Sequence, residues 1–311
     1  MVIKKEETIK KEKNPLVSTV IPTFKRADML SRAIDSVLNQ SYTNVEVIIV
    51  DDNNPSSDYR KTTEVTMERY NGNPKVRYIK HEKNQNGSVA RNTGIHKAKG
   101  KYICFLDDDN YFYQKKIEKQ VKYLFKNPEY KAVYCGVELD NRNIIPCQAG
   151  DLTYEQLAGT NIIDTNTILM EKEVILQFGG WDERLKRNQD VSFMLRYFKT
   201  GNKVGVISEA LAFYDLSDRS NVANPRNNEK NFDLFLYYYD EQVLECEKKF
   251  NNAKKNIYSL RYRGVILNYL KKKDVTGAIK LYWKMLLIAP IIFNKHMLIG
   301  FLKKVIGKPL I

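Results

Sequence analysis

The sequence is poor in the residues that build covalent or metal scaffolds. Its 311 residues include four cysteines, Cys104, Cys135, Cys147 and Cys246, widely spaced and without a Cys-x-x-Cys pair. That spacing suggests neither a zinc site nor a disulfide framework, and fits free thiols in a reducing cytoplasm. Long apolar runs are missing too. The longest, Met285 to Phe293, has nine residues with Pro290 inside it, whereas a spanning helix needs about 20. The opening stretch MVIKKEETIKKEKNP lacks the apolar core of a signal peptide, so nothing in it directs secretion and the expected location is cytoplasmic.

What is abundant is positive charge, a net +14, and it is unevenly placed. Residues 248–311 carry 15 Lys and Arg against Asp274 alone, while residues 1–247 have 36 of each sign. A nucleic-acid protein would show a recognisable motif with its basic face, and none is present, so no nucleic-acid partner is expected. The basic stretch interleaves Tyr282, Trp283, Leu286, Leu287, Ile288 and Ile292 with Lys280, Lys284, Lys303, Lys304 and Lys308. That composition suits a helix on an anionic membrane surface, where each basic residue contributes about 1 kcal/mol. It equally suits a helical subdomain with a solvated lysine face. If it is a separable tail, removing residues 248–311 leaves a neutral catalytic domain.

With 43% hydrophobic residues, the chain can bury one large α/β domain plus a smaller appendage. From Leu16, short β-branched runs alternate with amphipathic stretches: Val17–Ile21, Asp28–Gln40, Val45–Val50, Asp58–Tyr70, Val76–Ile79, Ser88–Lys97, Tyr102–Leu106, Gln114–Phe125 and Ala132–Val137. Continuous apolar strands separated by helices indicate a doubly wound, mostly parallel sheet covered on both faces. Further strands are expected over Ile162–Met170, Val204–Ile207 and Leu211–Tyr214, and helices over Glu171–Gln177, Asp190–Lys199 and from Phe232 onward. The expected organisation is a charged tail (1–15), a catalytic domain (16–230) and a basic helical region (231–311).

Ligands of such sheets bind at the carboxyl ends of strands, and three ends here are polar: Pro22-Thr23-Phe24, Asp51-Asp52-Asn53 and Asp107-Asp108-Asp109. Three adjacent carboxylates repel one another unless a cation binds, and Mg²⁺ or Mn²⁺ would retain open positions for phosphate oxygens. The same triplet also serves as a solvated loop ahead of a helix. Asp51-Asp52 could accept from a base N–H or ribose hydroxyls, or simply form a turn. Arg91, on the first turns of the helix after Asn86-Gly87, could take phosphate oxygens with its fork or lie on the surface.

Taken together and in order, Val20-Ile-Pro-Thr-Phe24, Ile48-Ile-Val-Asp-Asp52, Asn86-Gly87 with Ala90-Arg-Asn92, and Phe105-Leu-Asp-Asp-Asp109 resemble the motifs of family-two glycosyltransferases over about residues 16–220. The resemblance implies the GT-A fold and inverting transfer of one sugar from a nucleotide sugar, a UDP-sugar, to a glycan or polyprenyl-linked acceptor in bacterial cell-surface polysaccharide assembly. It implies a donor site of Pro22, Thr23, Asp51, Asp52, Asn86, Arg91, Asp107 and Asp108, with Asp51 and Asp52 on the uridine, Asp107 near the ribose, and Asp109 on a Mn²⁺ or Mg²⁺ ion. Asn188-Gln189-Asp190 followed by Arg196 matches the family's Glu-Asp motif and makes Asp190 the candidate base, with Gln189 where Glu is usual. A histidine that many relatives place near the end of the domain is absent, which leaves Asp215, Asp218 or water for that position. The Gln-x-x-Arg-Trp signature of processive synthases is missing, which favours single-sugar transfer. Trp181 and Asp182 are expected on the acceptor side, where Trp181 either stacks on a sugar or packs in the core. Of two other classes, a metal-dependent nucleotidyltransferase or phosphatase does not predict Asp51-Asp52, Arg91 and Asp190 together, and a non-catalytic sugar- or nucleic-acid-binding module would make the basic tail its working surface, yet the tail lacks a recognisable nucleic-acid motif.

Overall fold

The computed structural model describes residues 14–217 and 224–305. The charged start up to Lys13, Asp218 and Lys308 lie outside the described residues. The chain forms two compact units, and the second comprises Leu152–Ile162, Leu185–Leu195 and Arg219–Ile311.

The first unit is built on a sheet of strands β1 (Val17–Thr23), β2 (Val45–Asp51), β3 (Val76–Lys80), β4 (Tyr102–Phe105), β5 (Tyr111–Phe112), β6 (Ala132–Leu139), β7 (Arg142–Ile144), β8 (Leu169–Glu171) and β9 (Val204–Tyr214). Their order is β3-β2-β1-β4-β8-β6-β9-β5, with β7 on β6. Strands β3, β2, β1 and β4 are parallel. Beyond β4 the sheet is mixed: β8 runs antiparallel to both neighbours, and β6 and β9 run parallel. The order reverses between β1 and β4, the place where the carboxyl ends of an open α/β sheet part to admit a ligand.

Helices α1 (Ala27–Leu38), α2 (Asp58–Glu68), α3 (Gly87–Lys97), α4 (Lys116–Lys126) and α6 (Lys172–Gln177) belong to this unit. All seven residues of β2 are buried, and each Val or Ile so placed contributes about 1.5–3 kcal/mol. Leu30, Ile34 and Val37 of α1 pack on the sheet face that carries Val17, Ile21, Val47 and Ile49. Helix α3 covers the opposite face. A Cβ on its Gly94 would lie 2.2 Å from Val20 Cγ1, so that helix can approach β1 only without a side chain there.

Two expected elements differ. The strand expected over 162–170 is a 3₁₀ turn, Thr165–Thr167, followed by only Leu169–Glu171 in the ladder. Asp164 caps that turn by accepting from the Asn166 N–H at 2.8 Å, a local side-chain bond that competes with sheet pairing. The two strands expected at 204–207 and 211–214 are one strand, β9, whose pairing with β6 shifts register on either side of Gly136. Added bulk at Gly136 would meet the carbonyls of Ile144 and Glu209 at 2.5 and 3.0 Å, which explains how a bulge is absorbed there.

The second unit holds α5 (Thr153–Ala158), α8 (Pro225–Tyr238), α9 (Asp240–Lys249), α10 (Ala253–Lys271), α11 (Val275–Ile288) and α12 (Pro290–Val305). Leu157, Leu185, Val191 and Leu195 share its buried cluster with Phe232, Ile257, Tyr262, Leu281 and Phe293. Helix α7 (Gln189–Lys199) supplies Val191 and Leu195 to it. Among the described residues no helix is long and apolar enough to cross a membrane.

Candidate active site

The acidic triplet follows β4 directly and meets the end of β1. The Phe24 N–H donates to Asp108 Oδ2 at 3.2 Å, and Arg26 Nη1 reaches Asp109 at 2.6 Å and Asp108 at 3.5 Å. Pro22 and Thr23 sit in register with Val50 and Asp51 across the β1–β2 pair. Burial, reinforced by the negative charge of its neighbours, pushes the Asp108 carboxyl up to about 7. Burial and the Asp107 charge push Asp109 up to about 6. A group that holds its proton so tightly gains most from a nearby cation. Arg26 partly supplies that charge, and no sequence motif had pointed to it, although it lies only three residues past Thr23 at the same strand end.

Asp107 is held from two sides. Arg91 Nη2 donates to Oδ1 at 2.6 Å and the Asn166 amide to Oδ2 at 3.3 Å, while the Asp107 N–H donates to Asn166 Oδ1 at 2.8 Å. Behind it lies Asp164, whose carboxyl burial and the Asp107 charge raise to about 6. The Arg91 guanidinium also lies 4.7 Å over the Trp181 ring. Arg91, expected on a diphosphate, orients Asp107 in this structure. Trp181 is 1% exposed and edge-on to Phe105 at 5.0 Å, so it packs in the core and does not offer a face to a sugar. Asp182 is spent on Arg184, at 2.7 Å.

Asp51 and Asp52, expected on the uridine, have partners within the protein. A carboxylate offers about four lone-pair directions. Asp51 accepts from Tyr78 OH at 2.5 Å and from the Asn53 N–H and amide at 2.9 and 2.8 Å, and forms an ion pair with Arg60, whose Nε lies 2.9 Å away. The lone pairs of Asp52 are taken by His81 Nδ1 at 2.8 Å, the Asn84 amide at 2.8 Å, and the N–H groups of Gln85 and Asn86 at 2.9 and 3.0 Å. Both are buried and bonded within the protein, and these bonds fix the loops at 51–53 and 84–86. Asn86 in turn caps α3, accepting from the Ser88 and Val89 N–H groups at 2.8 and 3.3 Å. Asn92, passed over in the motif, clamps the main chain of Trp181 in both directions, at 3.0 and 2.8 Å.

Among the described residues no three His, Cys, Asp or Glu side chains could hold a metal on their own. The carboxylates nevertheless fit one. Mg²⁺ or Mn²⁺ in phosphate chemistry commonly takes one or two carboxylates and completes its shell with phosphate oxygens and water, and Asp109 has the raised proton affinity of such a ligand. At the end of β9, Asp215 acts electrostatically on Asp109, yet it pairs with Arg32 at 2.7 Å. Hydrogen bonds from Ser217, helped by Arg32, hold its carboxyl down near 2.

A model of the family described as glycosyl transferase family 2 matches residues 18–173, the stretch that holds the ends of β1, β2 and β4. The chain belongs to glycosyl transferase family 2. Among relatives of this glycosyltransferase, the amylovoran biosynthesis glycosyltransferase AmsB of Erwinia amylovora is 32% identical, over 65% of this chain and 70% of that one. The crystal structure of TarS 1-349 of S. aureus in complex with UDP-GlcNAc superposes with a TM-score of 0.57 at 16% identity, over 85% of this chain and 90% of that one. The mannosyltransferase PcManGT of Pyrobaculum calidifontis, in complex with GDP-Man and Mn²⁺, gives 0.58 at 14% identity, over 95% and 88%. The fold is that of the GT-A transferases.

Asp190 belongs to the second unit, on the first turn of α7 and half-buried. Gln189 turns its amide back to the Leu185 carbonyl at 2.9 Å, a donation that Glu could not make. Arg196, the motif's last member, belongs to the first unit and braces the Phe178 carbonyl through Nε at 3.2 Å.

Proposed function

We propose that this glycosyltransferase moves a single sugar, with inversion, from a UDP-sugar to a hydroxyl of a glycan or lipid-linked acceptor in cell-surface polysaccharide synthesis. The observation that carries the reading is the cluster at the strand-order reversal: three carboxylates, two of them with strongly raised proton affinity, converge on the ends of β1 and β4. A nucleoside diphosphate beside a divalent cation suits that chemistry. The name of AmsB supports polysaccharide as the product, UDP-GlcNAc in the TarS structure supports a UDP donor, and Mn²⁺ with PcManGT supports a metal.

In this reading Pro22, Thr23 and the Asp107–Asp108 turn line the nucleotide, and Arg91 with Asn166 holds Asp107 toward the ribose. Asp51, Asp52 and Asn86 act one step removed, by fixing the loops that wall the crevice. Asp109 would hold the Mn²⁺ or Mg²⁺, whose charge would stabilise the departing diphosphate. Arg26 adds fixed positive charge beside it. Asp190 accepts the acceptor hydroxyl's proton as that oxygen attacks C1 opposite the leaving group, so that a single displacement inverts the anomeric centre.

Attachment to an anionic membrane face is part of the proposal. Val275, Ile279, Trp283 and Leu287 recur every four residues along α11 and are 54, 53, 63 and 87% exposed. They form one apolar stripe within the stretch that carries the chain's excess of lysine.

The reading is tested by incubating the protein with a panel of nucleotide sugars and Mn²⁺ and measuring released nucleoside diphosphate. One donor should be hydrolysed slowly and selectively, and Asp109→Asn should abolish both this turnover and the Mn²⁺-dependent part of UDP binding. Unchanged UDP affinity with Mn²⁺ in that variant would remove Asp109 from the metal site, and release of pyrophosphate would point to nucleotidyl transfer.

A further inference from the structure

We propose that a cavity within the second unit is an acceptor subsite for a sugar that carries a carboxylate or phosphate group. This rests on the transferase reading above and adds the chemical class of the acceptor.

The cavity is open to solvent and has a volume of about 320 Å³, at the small end of ligand sites and suited to a single sugar. Its lining includes two arginines, Arg187 and Arg261, and four asparagines, Asn188, Asn228, Asn231 and Asn268, with no acidic residue. Arg261 donates through Nε to the Leu157 carbonyl at 2.8 Å and through Nη2 to the Gln156 carbonyl, and lies over the Phe232 ring at 5.8 Å. These partners orient the guanidinium but bring no negative charge. Among the described residues Arg261 forms no ion pair, and burial lowers its pKa to about 10. A desolvated cation without a counter-ion is unfavourable, and an anion in the cavity would balance it.

The asparagines indicate what else that anion carries. Each carboxamide both donates and accepts, as a sugar hydroxyl does, whereas a bare anion needs donors only. Asn188 links the cavity to the chemistry. It lines the wall in a left-handed conformation, φ 57°, immediately before α7, and Asp190, the proposed base, follows two residues later in the same unit.

The test titrates the full-length protein calorimetrically with glucose, glucuronate, glucose 1-phosphate and inorganic phosphate. The two anionic sugars should bind at least about tenfold more tightly than glucose or inorganic phosphate, and Asn231→Asp, which adds a carboxylate to the wall at unchanged size, should weaken them by at least about tenfold. Arg187→Ala should act in the same direction. Circular dichroism and Tm confirm that the variants are folded. Equal binding of glucose overturns the anionic class, and equal binding of inorganic phosphate reduces the cavity to a bare anion site. Binding of anionic sugars undiminished in Asn231→Asp places them elsewhere, and no binding of any probe sinks the inference. UDP with Mn²⁺, titrated on the wild-type protein in the same buffer, reads the donor site independently. UDP binding without sugar-anion binding means that the subsite fails while the transferase reading stands; the reverse pattern means the opposite.

Discussion

Asp108 is 4% exposed and its carboxyl is raised from 3.8 to about 7, chiefly by burial. Between those two values the unfolded chain has released a proton that the folded protein still binds, so stability falls as pH rises from about 4 to about 7 and is level above. Asp108→Asn removes that penalty. The variant should gain stability over the wild type, and the gain should be larger at pH 8 than at pH 5 by on the order of 2 kcal/mol. Thermal unfolding of both proteins at the two pH values measures it, and an equal or smaller gain at pH 8 would show that Asp108 ionises freely. The triplet itself was legible in the sequence because carboxylates at a strand end are conspicuous. The partners of Asp51 and Asp52 were not, since Arg60, Tyr78, His81 and Asn84 come from other elements and carry no local signal.

Strands and helices of the parallel half were readable because each is a continuous buried run followed by an amphipathic helix, as β2 and α1 show. The stretch 162–170 was not, because its apolar residues frame Asp164-Thr165-Asn166-Thr167, where side chains bond the local backbone and leave little for a ladder. Helix α3 shows what packing demands of one residue. Gly94→Val would force side-chain atoms into Val20, against a first-atom approach of 2.2 Å already too short for a Cβ, and overpacking of this kind costs about 1–3 kcal/mol. The variant should unfold at lower denaturant concentration with an unchanged m-value. A wild-type midpoint would mean that α3 moves away from β1 freely.

At the scale of the whole chain, the basic C-terminal stretch cannot be removed cleanly, contrary to what its charge suggests. Cutting at residue 248 would discard Ile257, Tyr262, Leu281 and Phe293 from a core they share with Leu157, Leu185 and Val191. Membrane attachment is better tested on the surface. Trp283→Glu with Leu287→Glu should abolish sedimentation with anionic liposomes at low salt while leaving the core intact, and undiminished sedimentation would exclude the α11 stripe. In the proposed chemistry Asp190 serves the acceptor and the acidic triplet serves the nucleotide sugar. The most direct test is therefore Asp190→Asn, with UDP and Mn²⁺ affinity measured beside transfer to an acceptor. A base acts on the acceptor and not on the nucleotide, so affinity should stay near wild type while transfer falls by at least about a hundredfold. Transfer at a near wild-type rate, or loss of UDP binding together with activity, would contradict Asp190 as the base.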